Sequence, residues 1–150
     1  MSPAAGVWPA VPRIGLTGGI ACGKSLFLEE LRKHGFRTLD ADDIVHGLIP
    51  AGGEGPCIAA VPLLFEAGWE GDFDMIVCIV SPPETQIERM VATRALSRAE
   101  AQARIAAQMD TSEKAARAHI VVANDGTEAE LACKAAEFAK RIYESYRKRI

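Results

Sequence analysis

Short apolar runs alternate with amphipathic stretches along this chain. The run "RIGLT" (Arg13 to Thr17) ends at glycine, and "KSLFLEELRKHG" follows, where Leu26, Phe27, Leu28 and Leu31 draw an apolar helical stripe and Gly35 is placed to cap its end. "FRTLD" then predicts a second strand, "ADDIVHGLI" a short helix, and "CIAAVP" and "MIVCIVS" two buried strands rich in β-branched residues. In "SPPETQIERMVATRAL", Ser81 and Glu84 spell a capping box with prolines in the first turn. Ser97 and Glu100 repeat it in "SRAEAQARIAAQ". A brief helix "TSEKAARA", a last strand "HIVVAN", a "DG" turn and a long amphipathic helix opened by Thr127 and Glu130 complete the series. Strands alternating with helices predict an α/β fold, with a mostly parallel sheet of about five strands and helices on both faces.

Length and charge narrow this picture. A chain of 150 residues, 49% of them hydrophobic, supports one packed core and no second one. Lys and Arg number 17 against 20 Asp and Glu, which excludes binding to nucleic acid through a broadly basic surface but leaves room for a local anion site. Cys22, Cys57, Cys78 and Cys133 form no CxxC pair, and His34, His46 and His119 have no ligand spacing, so a reduced, cytoplasmic protein without a zinc site is expected. Residues 1–12, "MSPAAGVWPAVP", read as a loose tail without the basic and apolar regions of a signal peptide, and no segment reaches the roughly 18 apolar residues of a membrane span. The conspicuous break is "IPAGGEGP", Ile49 to Pro56.

The chemistry concentrates where the first strand meets the first helix. Gly18, Gly23, Lys24 and Ser25 fit the Walker A pattern G-x-x-x-x-G-K-[ST], set between a predicted strand and a predicted helix as a P-loop requires. Glycines let the backbone approach an anion, amide N–H groups and the helix N-terminus supply partial positive charge, Lys24 neutralises phosphate oxygens, and Ser25 offers a hydroxyl to Mg²⁺. The plain reading beside it is a glycine-rich turn that binds nothing. No NKxD guanine signature occurs, and the chain is short for a motor domain, so a small-molecule kinase leads.

The series "TGGIACGKS", "LDAD" (Leu39 to Asp42), "VPLLFEAG" (Val61 to Gly68), "RIAAQ" (Arg104 to Gln108), Lys114, and Asn124 with Gly126 resembles the dephospho-CoA kinase family in content and order. The resemblance implies a nucleotide-kinase-like P-loop fold with a helical lid over about 84–118, using ATP and Mg²⁺ to phosphorylate the ribose 3′-hydroxyl of dephospho-CoA, the last step of coenzyme A synthesis. It implies phosphate contacts from Gly18, Gly19, Ile20, Ala21, Cys22, Gly23, Lys24, Ser25 and Arg89, an adenine-side loop at Asn124 and Gly126, and catalytic roles for Lys24 and Arg104. Asp42 matches the family's general base, with Asp40 and Glu66 on the acceptor side. Each has a plainer alternative: "DADD" as a helix N-cap, "NDG" as a turn, Glu66 as a surface carboxylate, and the arginines as a solvated helix face. Arg94 stands one residue away from the second lid arginine, and Arg98 lies in the same stretch. Cys22 replaces a small residue of the loop, either passively or as a redox-sensitive thiol.

One part of the family pattern is missing. Only "IVHGLIPAGGEGPCIAA" separates Asp43 from Val61, where the family carries a helical acceptor-binding segment, so a deletion near 49–57 within a single kinase domain over 13–150 is expected. ATP binding should survive this better than acceptor binding. The partners expected are ATP and dephospho-CoA, with neither nucleic acid nor membrane. The alternatives are an ATP-binding module without transfer activity and a kinase for another small alcohol or nucleoside.

Overall fold

A computed structural model describes residues 13–39 and 56–147 of the chain. Its centre is β1 (Arg13–Gly18), in which every residue after the first is buried. Such a run, apolar on both sides, suits an inner strand of a parallel sheet rather than a half-wet one. β1 is followed by α1 (Lys24–Lys33), β2 (Arg37–Leu39), β3 (Cys57–Ala60), β4 (Met75–Val80), α2 (Pro83–Arg94), α3 (Arg98–Ala106), α4 (Thr111–Arg117), β5 (Ile120–Ala123) and α5 (Glu128–Arg147). The five strands are all parallel, in the order β2-β3-β1-β4-β5. The loops after β1, β3, β4 and β5 therefore leave from the same edge of the sheet, where open α/β folds bind ligands.

Both faces of the sheet are covered. On one, Ile14, Leu16 and Val77 pack with Phe27 and Leu31 of α1 and Leu131, Phe138 and Ile142 of α5. Phe138 lies 5.7 Å from Phe27 and 6.2 Å from Phe36, ring centre to ring centre, so one side chain ties α5 to α1 and to the start of β2. On the other face, Ala59 and Ile76 meet Val61, Leu64, Phe65 and Phe73 from the connection between β3 and β4. A small third cluster, Ile87, Met90 and Ala101, joins α2 to α3, with Ile20 and Ala21 packed against it.

The helix ends follow local chemistry. Gly35, at φ +88°, ends α1 with its N–H on the Arg32 carbonyl and the Phe36 N–H on the Leu31 carbonyl, the paired bonds of a Schellman motif. Ser97 and Glu100 form the reciprocal capping box at α3, and Thr127 accepts from the Glu130 N–H at α5. The capping box expected at Ser81 does not form: Pro82 takes the N-cap of α2, and the Ser81 hydroxyl donates instead to the Asn124 carbonyl, 2.7 Å away at the end of β5. The first twelve residues, the helix expected over "ADDIVHGLI", Asp40, Asp42 and most of the glycine-rich break lie outside the described residues. Among the described residues no helix is long and apolar enough to cross a membrane.

Phe138→Ala should lower the unfolding free energy by about 3 kcal/mol or more, the usual cost of emptying an aromatic site. The neighbouring exposed Glu137→Ala should change it by less than about 0.5 kcal/mol. Chemical denaturation of the two variants side by side measures both.

Candidate active site

The turn out of β1 requires glycine at its first position. Gly18 sits at φ +152°, and a Cβ there would run into the backbone oxygen of Ile79 on β4. Gly23, at φ +98°, is the N-cap of α1 and has no room for a side chain, since a Cβ would lie 2.6 Å from Asn124 Nδ2. Ala21 adopts φ +59°, a conformation that costs a residue bearing a Cβ about 1 kcal/mol and that its neighbours must hold in place. No side chain caps α1, so its first-turn amide groups remain for an anion.

What holds the loop is a set of side-chain donors on its carbonyls. Gln86 Nε2 donates to the Ile20 carbonyl at 2.8 Å, Arg89 Nη1 to Ala21 at 2.9 Å and Asn124 Nδ2 to Cys22 at 2.9 Å. In a trans peptide the next N–H points opposite to the carbonyl, so fastening these three oxygens turns the Ala21, Cys22 and Gly23 N–H groups the other way. The Cys22 N–H also makes a longer bond, 3.3 Å, to the Gly19 carbonyl. Arg89 further donates to Ser81 Oγ and the Asn124 carbonyl, welding the ends of β4 and β5 to the loop through α2.

Lys24 spans the loop, its Nζ donating to the Gly18 and Gly19 carbonyls at 3.2 and 2.8 Å. Burial pushes its pKa below the ordinary 10.5; Cys22 and Cys78 oppose this, and the nearby positive charges of Lys114 and Arg94 add to it. A desolvated ammonium at a ring of amide dipoles is poised for an anionic ligand. Ser25 is exposed beside it. Loop residues 21–25, Arg89, Thr93 and Arg94 of α2, and residues 124, 126, 127 and 128 line a cleft of about 520 Å³. Among the described residues, no group of three or more His, Cys, Asp or Glu could hold a metal.

The predicted residues divide in the structure. Gly18 to Ser25, Arg89 and Asn124 come together, with Asn124 and Arg89 turned onto the loop backbone. Gly126 lines the same cleft. Arg94 joins the cleft wall, while Arg98 forks onto Glu84 at 2.8 and 3.1 Å and Arg104 stands exposed on α3, neither lining the cleft. Cys22 is 0% exposed and packs in the core with Phe27, so it fills space. Cys78 is likewise buried, and burial pushes its thiol up to about 11.

Glu66 is more than a surface carboxylate. Its Oε2 lies 3.3 Å from Nζ of Lys114 and accepts from the Met109 N–H. Lys114 is fully buried and also donates to the Pro62 carbonyl, which Thr17 of β1 reaches as well. This clip fastens the loop after β3 to α4 and to β1. Sequence reading missed Gln86 and Ser81 as site residues. The available signal was a glutamine within the apolar stripe of α2, three residues before Arg89, where a helix places both on one side.

The dephospho-CoA kinase family model matches residues 13–55 and 54–130, two pieces that overlap at 54–55 in this chain. A dephospho-CoA kinase of Anaeromyxobacter dehalogenans is 30% identical over 187 aligned positions, covering 81% of this chain and 88% of that one. That alignment is longer than the 150-residue chain, so the relative carries an interior stretch with no counterpart here. Among solved structures, TT1252 from Thermus thermophilus superposes with a TM-score of 0.73 at 25% identity, covering 85% of this chain and 97% of that one. A Campylobacter jejuni dephospho-CoA kinase, at 20% identity, shares the fold with a TM-score of 0.61, covering 87% and 96%.

Burial works against the Glu66 carboxylate, but its own backbone N–H, the Lys114 charge and the Met109 N–H outweigh it and hold its pKa below the ordinary 4.5. The clip therefore stabilises the fold fully above the ordinary value and is lost as pH falls through the lowered one. Unfolding midpoints should show the unmodified chain above Glu66→Gln at neutral pH, with the gap closing on acidification below 4.5.

Proposed function

Because the chain belongs to the dephospho-CoA kinase family, we propose that it transfers the γ-phosphoryl group of ATP to the ribose 3′-hydroxyl of dephospho-CoA, giving coenzyme A and ADP. The observation that carries this reading is the glycine loop whose Ile20, Ala21 and Cys22 carbonyls are fastened by Gln86, Arg89 and Asn124 beside a desolvated Lys24.

The chemistry follows from charge. The acceptor oxygen forms a bond to the γ-phosphorus as the bond to the β,γ-bridging oxygen breaks, and negative charge builds on the leaving ADP. Loop amides and Lys24 hold that charge in a fixed, partly dry setting, where it costs least. Mg²⁺, taken up by the Ser25 hydroxyl and phosphate oxygens, would neutralise further charge. Asp42, matched to the family's base, receives the hydroxyl proton, with Asp40 two residues before it on the acceptor side. Arg94 at the cleft wall faces the phosphates, and α3 brings Arg104 when the lid closes. The interior stretch missing here favours a second reading, in which ATP is held and no acceptor is phosphorylated.

Mass spectrometry of a mixture of the protein, ATP, Mg²⁺ and dephospho-CoA should detect coenzyme A, and Lys24→Ala should lower the rate by about a hundredfold or more. Binding of ATP with no coenzyme A formed would select the second reading. Phosphate contact should also raise the lowered pKa of Lys24, so ATP affinity should fall as pH rises toward and before 10.5. In Lys24→Met that alkaline limb should vanish from a titration series.

A further inference from the structure

Gln86 is 2% exposed, yet it carries an amide where α2 otherwise buries Ile87 and Met90. Packing alone would be met by leucine or methionine, since burying an amide costs free energy unless it is hydrogen-bonded. Its Nε2 donates to Ile20, a carbonyl outside any regular element, at the turn where the loop bends toward the anion site. The same amide crowds Gly19, where a Cβ would lie 2.5 Å from Nε2 and 2.8 Å from Thr111 Oγ1. The amide thus spans from α2 to the one stretch of backbone that must present N–H groups to phosphate.

We propose that Gln86 is a positioning residue for phosphate binding: it holds the Ile20 carbonyl out of the cradle so that the Ala21 N–H faces the ligand. This rests on the reading of the loop as an ATP site. Arg89 acts on the next carbonyl but is tied to Ser81 and Asn124 as well, so Gln86 offers the cleaner test. A role in packing alone would be served by any apolar side chain of the same length. A positioning role needs the donor.

Calorimetric titration of the full chain with ATP, and competition by adenosine, separates the two. Gln86→Met keeps the length and removes the donor. It should weaken ATP roughly tenfold, because the released Ile20 carbonyl must be turned out of the cradle again on binding at about the cost of one hydrogen bond, while leaving adenosine nearly unchanged. Gln86→Glu supplies a second handle that holds even if the methionine variant folds poorly. Its ionised carboxylate repels the Ile20 carbonyl, whereas the protonated acid can donate. Its ATP affinity relative to the unmodified chain should therefore recover on acidification. Equal ATP affinity in Gln86→Met, equal loss of ATP and adenosine in a folded variant, or a flat pH response in Gln86→Glu would each overturn the proposal. Failure of the unmodified chain to bind ATP would overturn the phosphate-site reading itself, and this inference with it.

Discussion

Peptide carbonyls carry the wrong partial charge to meet a phosphate, and a loop that wraps an anion with its N–H groups must send those carbonyls elsewhere. Here Ile20, Ala21 and Cys22 send theirs to Gln86, Arg89 and Asn124. Two of these donors stand on α2 and the third just beyond β5, so the loop takes its shape only when β1, β4 and β5 are side by side. The parallel order that places β4 next to β1 and β5 beyond β4 is what brings the donors within reach. Ala21 can keep its left-handed conformation because the same bonds hold it there.

A second fixture stands on the other side of β1. Lys114, wholly buried, joins the Pro62 carbonyl to Glu66, and Thr17 reaches the same carbonyl from β1. A buried charge is tolerated only when paired and hydrogen-bonded, and both conditions are met. The loop after β3 is thereby held against α4 near the edge of the sheet where the phosphate loop lies. Two supports flank the cleft, while α3 packs on α2 through Ala101 against Ile87 and Met90, with the exposed Arg98–Glu84 pair adding little.

Much of this was legible in the chain. The alternation of β-branched runs with helical stripes gave five parallel strands, because strands buried on both faces leave a plain apolar signature. The phosphate loop was legible because its geometry demands glycine at 18 and 23, and few residue types satisfy such backbone angles. The reach of Gln86, Ser81 and Lys114 was not, since which carbonyl a buried donor finds depends on contacts between residues more than sixty or fifty positions apart, as with Gln86 to Ile20 and Lys114 to Pro62. Ser81 misled for a local reason: the proline after it claims the cap, and the hydroxyl turns to β5.

The chain keeps the loop, the side chains that fasten it and the helices α2 to α4 while lacking an interior stretch that its relative carries, so the phosphate cradle is where the proposed function is most concentrated. Amide resonances of an isotopically labelled sample, followed as ATP and Mg²⁺ are added, read that cradle directly. Large downfield shifts confined to Ala21, Gly23, Lys24 and Ser25, with Gly68 and Gly71 unmoved, are the expected result, since hydrogen bonding to phosphate deshields an amide proton. Saturated ATP binding with those loop amides unmoved would contradict the cradle and the nucleotide site built on it.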